Sequence, residues 1–343
     1  MKQLSLLLIL TALLTACTTE IGPVTTNEPK KLIINAILST DKVENAIYLN
    51  LTDRVNPEIV KNGIIRLYIN GELSETIDEC KYNPLYNDRD SYSDYYYPVH
   101  SRFQSGDNVR LEVETKDGHF RAEAETNVYE NLKIAGLDTT HITTSGVYSW
   151  IGTAIRLKVK LEAPMSEKKQ PHYYRVHLKE DCTYRLTNKE TLKDSIAQSN
   201  YWNSPAYYYD IALMDGKPGD QNNNDFDITI LPTTRNDYRV FSDIYFNNRK
   251  YTMDLSIFPG AWFNGLVYHI RHATVRETLH FYAISQEEYL YLRALSAHNE
   301  HDSSDPFENP VIFPSNVKGG IGIFAIENPT EYPFDAFDKD IAE

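Results

Sequence analysis

The sequence predicts a mainly β protein, and three observations carry that prediction. Apolar and polar residues alternate in many short runs; Asn-Gly and Asp-Gly pairs separate such runs; and Tyr, with 25 copies against 13 Phe and 3 Trp, dominates the aromatic residues. Alternation is the period of a half-buried strand. Asn-Gly and Asp-Gly suit the positive φ angles of two-residue hairpin turns. Tyr favours pleated, half-wet positions where the ring packs and the hydroxyl reaches water.

Before the first strand, Lys2 precedes a nearly all-apolar run over residues 4–14, and Leu14-Thr15-Ala16 leads into Cys17. A short basic start, an apolar segment and a small-residue exit are the layout of a signal peptide, here residues 1–16. The run is about half the roughly 20 residues a membrane span requires, and no basic stop-transfer cluster follows. Residues 17–30 carry Pro23 and Pro29 without any hydrophobic period, which predicts a flexible tether.

Strands begin at Leu32-Ile33-Ile34-Asn35-Ala36-Ile37-Leu38 and recur at 46–51 and 64–69. Asn70-Gly71 turns the last of these into 72–77. Val109, Leu111 and Val113 point inward and Arg110, Glu112 and Glu114 outward on a strand that turns at Asp117-Gly118 into 120–124. Short strands at this spacing predict an immunoglobulin-like β-sandwich over residues 31–128.

A second β-rich domain is expected over 129–328, a sandwich or partial barrel. Residues 155–162 and 174–179 alternate without a fault, and further strands are expected at 207–214, 226–231, 251–258 and 268–284. One helix is expected over 286–298. Ser285 would cap it with Glu288 reaching back, and Tyr291, Leu292 and Leu295 would form its inward stripe. Gly319-Gly320-Ile321-Gly322-Ile323-Phe324-Ala325 predicts a closing strand, its glycines admitting another backbone or a bulky ring close by. Residues 329–343 look like a poorly ordered acidic tail.

Lys and Arg number 34 against 48 Asp and Glu, a net charge of −14, and loss of Lys2 with the leader lowers it by one more. Such a body repels nucleic acid and anionic membrane surfaces, so a nucleic-acid role is excluded. Beyond Cys17 only Cys80 and Cys182 remain. In an oxidising compartment they can pair, or stay as two separate thiols.

No catalytic constellation stands out, and no cofactor is expected. Asp220, Asn222 and Asn224 offer oxygen ligands at alternate positions like a calcium loop, but Asp225 stands where the loop needs Gly and Leu231 where it needs Glu. Gly320-x-Gly322 opens a formal dinucleotide fingerprint too near the chain end for a βαβ unit. The pairs His269/His272 and His298/His301 are taken as surface histidines. A hydrolase built on an unrecognised carboxylate pair has no pair singled out by sequence. Binding candidates are the aromatic clusters: Tyr95, Tyr96 and Tyr97, and Tyr201, Trp202 and Tyr208.

Leu-Thr-Ala before Cys17 resembles the lipobox of bacterial lipoproteins, in which that cysteine is acylated. The order of Leu67-Tyr68-Ile69-Asn70-Gly71, Phe103-Gln104-Ser105-Gly106-Asp107, Tyr173-Tyr174-Arg175-Val176 and Ser315-Asn316-Val317-Lys318-Gly319-Gly320-Ile321-Gly322-Ile323-Phe324 resembles a family of Bacteroidota outer-membrane lipoproteins whose domain has no assigned function. The resemblance covers residues 17–326. It implies a lipid anchor at Cys17, an outer-membrane location facing the periplasm or the cell surface, and frequent encoding beside TonB-dependent receptors. It supplies no catalytic residues. The expected function is therefore a non-catalytic, lipid-anchored binding protein, accessory to a TonB-dependent transporter. The alternative is a surface adhesion or structural lipoprotein.

Overall fold

A computed structural model describes residues 29–53, 57–83, 95–143, 153–165, 171–203, 205, 210–214, 216, 236–259, 268–300 and 312–340. The alternating runs form strands in chain order. The first group comprises β1 (Leu32–Ser39), β2 (Asn45–Leu51), β3 (Glu58–Ile59), β4 (Gly63–Ile69), β5 (Glu72–Ile77), β6 (Lys81–Tyr82) and β7 (Tyr95–Val99). Next come β8 (Asn108–Thr115), β9 (Arg121–Asn127), β10 (Lys133–Thr143), β11 (Thr153–Glu162), β12 (Tyr173–Asn188) and β13 (Asp194–Asn203). Then follow β14 (Val240–Ser242), β15 (Lys250–Ile257), β16 (Tyr268–Ile284), the helix α1 (Gln286–Glu300), β17 (Val317–Lys318) and β18 (Gly320–Asp340).

The hairpins form where the turn residues place them. Asn70 and Gly71 adopt φ of 53° and 85° between β4 and β5, and Gly118 adopts 72° between β8 and β9. The fold is mainly β, with three sheets among the described residues and none closed into a barrel. The largest runs β13-β12-β16-β18-β1-β2-β7-β6; the others run β17-β9-β8-β4-β5 and β10-β11-β15.

Two cores result. Leu32, Ile34 and Leu38 of β1, Ile47 and Leu49 of β2, and Phe324 and Ile326 of β18 face Ile65, Leu67, Leu111 and Val113 of the five-stranded sheet. On the other half of the large sheet, Val176, Leu178 and Tyr184 of β12 and Val275, Leu279 and Phe281 of β16 face Leu157, Val159, Met253 and Leu255 of the three-stranded sheet. Each core is a sandwich whose inward residues come from every second position of both layers.

β18 joins the two sandwiches into one sheet. Its first residues, Gly320 to Glu327, pair parallel with β1, and Asn328 to Asp340 pair antiparallel with β16. Gly322 explains the glycine-rich closing motif. Its φ is +113°, and a Cβ there would run into the Ile34 carbonyl oxygen of β1. A neighbouring backbone, rather than a ring, requires the glycine.

Three local expectations differ from the structure. Residues 329–340, expected as a disordered acidic tail, form the second half of β18, because β16 offers them a partner strand. Ile211 to Met214, expected in a strand, form a turn. The buried Asp210 carboxylate accepts from the N–H groups of Ala212, Leu213 and Asp254, and that local bonding wins over a ladder. The Ser285 hydroxyl accepts from the Glu288 N–H at 3.0 Å, as expected, but the Glu288 side chain does not reach back; it is buried beside Glu327. Cys80 and Cys182 lie in different cores and form no disulfide. No described helix is long and apolar enough to cross a membrane.

Candidate functional site: a cleft at the sheet junction

A cleft of about 420 Å³ opens where β18 changes partner from β1 to β16. That volume lies within the range of small-ligand sites, about 300–1,000 Å³. Its floor follows from strand alternation. Tyr174, Val176 and Leu178 enter the core, so Arg175, His177 and Lys179 leave β12 on the other face. Register then places His280 of β16 opposite His177, Glu331 of β18 opposite His280, and Trp202 of β13 opposite Lys179. Asp41 and Lys42 add a wall from the turn after β1.

Four rings make up the floor. Trp202 and His280 have centroids 4.7 Å apart, Trp202 and His177 6.3 Å, and His280 stacks on Tyr282 at 6.1 Å. The Arg175 guanidinium donates from Nε to Nε2 of His177 at 2.9 Å and from Nη1 to Glu327 at 2.8 Å. A nitrogen that accepts cannot carry a proton, so His177 holds its proton on Nδ1. Burial, then the Arg175 charge, depresses its pKa to about 3. Burial also lowers that of His280. Both imidazoles are therefore neutral at pH 7.

His280 is only 4 % exposed, yet neither ring nitrogen has a hydrogen-bond partner among the described residues. Glu331 lies 3.4 Å from Nδ1 outside hydrogen-bonding geometry. Both nitrogens are closed to solvent, as are the unpartnered carboxyls of Glu277 and Glu288, and of these three residues only His280 lines the cleft. Behind the ion pair, burial and then the neighbouring Glu327 raise the fully buried Glu288 well above the usual carboxyl range, with Arg175 opposing.

The sequence candidates separate. Trp202 lines the cleft and is 54 % exposed. Tyr201 leaves β13 on the opposite face and donates its hydroxyl to Glu180. Tyr97 is buried; its hydroxyl donates to the Val60 carbonyl and accepts from the Gly63 N–H, and burial raises its pKa to about 12. Tyr96 donates to Glu44 at 3.0 Å, and Lys61 sits 3.5 Å over the Tyr95 ring, and neither tyrosine lines the cleft. Cys17, Tyr208, Asp220, Asn222 and Asn224 lie outside the described residues. No group of three or more metal-ligating side chains occurs among the described residues.

Sequence reasoning passed over Arg175, His177, His280, Tyr282 and Glu327. One signal was present: His280 interrupts the apolar run Leu279-His280-Phe281. A second hollow, about 440 Å³, lies on the outer face of the five-stranded sheet. Its charges pair with one another, Arg66 with Glu114 at 2.8 Å and Lys318 with Glu123 at 3.5 Å, which leaves less for a ligand to satisfy.

A facing carboxyl pair also exists. Glu180 and Glu277 are directly opposed on β12 and β16, both fully buried in the second core. Burial, then the facing Glu180, drives Glu277 far upward, so it keeps its proton. Tyr201 and the Cys182 thiol donate to Glu180. No cavity among the described residues opens between the two carboxyls. Hydrolytic pairs flank a cleft that admits substrate and water.

Fold and site together define a two-sandwich β protein with a polar, ring-floored cleft at a strand junction. The chain belongs to the family described as a domain of unknown function (DUF4249), whose pattern matches residues 18–332. No curated protein matches it.

Proposed function

We propose that this protein is a non-catalytic binding lipoprotein of a Bacteroidota-type outer membrane, anchored through an acylated Cys17, accessory to a TonB-dependent transporter, with the junction cleft as its ligand site. The Leu14-Thr15-Ala16-Cys17 exit from an apolar leader carries the location. Two or more acyl chains there would give stable anchoring where one would not. The cleft itself, with Trp202 half exposed on its floor and the Arg175–Glu327 pair in its lining, carries the binding role. Binding is preferred to hydrolysis because the facing carboxyls lie in a closed core.

The test is affinity capture of the tagged full-length lipoprotein from outer membrane solubilised in detergent, with mass spectrometry of what comes with it. A stoichiometric β-barrel receptor supports the transporter role. A protein recovered alone removes that role and favours adhesion. Cys17→Ser should move the protein from the membrane to the soluble fraction; a variant that stays membrane-bound refutes the lipid anchor.

A further inference from the structure

We propose that the junction cleft binds a neutral mono- or disaccharide, with one face of a sugar ring laid on Trp202 and its hydroxyls bonded to the Arg175–Glu327 pair. The inference rests on the reading of this chain as a binding protein and supplies the ligand class.

Three features select that class. The first is charge balance: among the described lining residues, Lys42, Arg175 and Lys179 stand against Asp41, Glu327 and Glu331. An ionic ligand would meet as much repulsion as attraction, whereas a neutral one avoids the cost of burying a net charge. The second is the floor. Trp202 leaves half of its surface open over His280, and an exposed indole face, negative at its centre, attracts the C–H groups along one side of a sugar ring. The third is the bonding capacity of the lining. A guanidinium offers several donors and a carboxylate several acceptors, and a hydroxyl donates and accepts. The Arg175–Glu327 pair, 18 % and 10 % exposed, is fixed in the lining as donor and acceptor for those hydroxyls.

The test uses the mature chain with Cys17→Ser and a panel of similar shape and varied charge. Glucose, galactose, mannose, maltose and cellobiose are neutral; glucuronate and glucosamine carry opposite charges. Binding is followed by ligand-observed NMR and tryptophan fluorescence. At least one neutral sugar should bind more tightly than both charged analogues. Trp202→Ala should weaken that binding about tenfold or more, as loss of an aromatic anchor does. Silence across the neutral panel, preference for a charged analogue, or binding unchanged in Trp202→Ala overturns the proposal. Receptor capture with a silent panel removes the saccharide reading alone; sugar binding without a receptor removes the transporter role alone.

Discussion

The two faces of the β12–β16 strand pair carry opposed polar pairs three residues apart, and they differ in one respect. On the inner face Glu180 meets Glu277 inside a closed core; on the outer face His177 meets His280 on the floor of a cleft. The inner pair is completed on one side only, since neither carboxyl oxygen of Glu277 has a hydrogen-bond partner among the described residues. Glu277 retains its proton, and Tyr201 and Cys182 donate to Glu180. The outer pair is completed on one side only: Arg175 occupies His177, while His280 keeps both nitrogens unbonded among the described residues. Each face therefore keeps one buried group without a partner, and the faces differ in that only the outer one lines a cavity.

Four changes break or sharpen the comparison. The largest effect is expected from Phe281→Ala, which empties a fully buried inner-face site packed edge-on against Phe241. It should cost about 3–5 kcal/mol in chemical denaturation. A loss under 1 kcal/mol would mean the inner face is not the packed core described.

Next is the pH dependence. Glu277 is raised from 4.5, so the stability of its protonated form is fully present below about pH 4.5 and declines as pH rises above it. His177 is lowered from 6.5 to about 3, so its neutral form contributes fully above pH 6.5 and the contribution is lost as pH falls toward 3. Melting temperature against pH should therefore peak on the acidic side of neutrality. Glu277→Gln should make the alkaline limb shallower, with the raised Glu288 and Asp210 keeping the rest, and leave the acidic limb; an unchanged alkaline limb would show that Glu277 ionises without cost.

The third change, His280→Phe, should leave stability level or slightly higher. A loss above about 2 kcal/mol would reveal a hidden partner for the imidazole. The smallest effect is expected from Tyr96→Phe, which removes an exposed bond to Glu44. About 0.5 kcal/mol or less should be lost, a control for what a polar contact is worth without burial.

Much of the fold was legible locally. Asn70-Gly71 and Asp117-Gly118 located two hairpins, and alternation in 155–162 and 174–179 identified β11 and β12 with their buried faces. The candidate site was legible only in fragments. An exposed aromatic at Trp202 could be suspected, but its neighbour Tyr201 leaves the strand on the opposite face, a consequence of the two-residue period. Glu288 satisfied the local rule for a capping box and was drawn instead toward Glu327.

By itself the sequence determined what depends on neighbours within a few residues: the turns, the strand faces, the helix start at Ser285 and the glycine at 322 that a close backbone requires. Tertiary structure alone decided which strands meet. Leu32 pairs with Gly320, and Ser39 with Glu327, across nearly the whole chain. That parallel pairing extends one sheet through both sandwiches and places Glu327 beside Arg175. The cleft exists because β18 leaves β1 for β16 at that point. No local pattern encodes such a change of partner, because it is set by two cores competing to bury the two halves of a single strand.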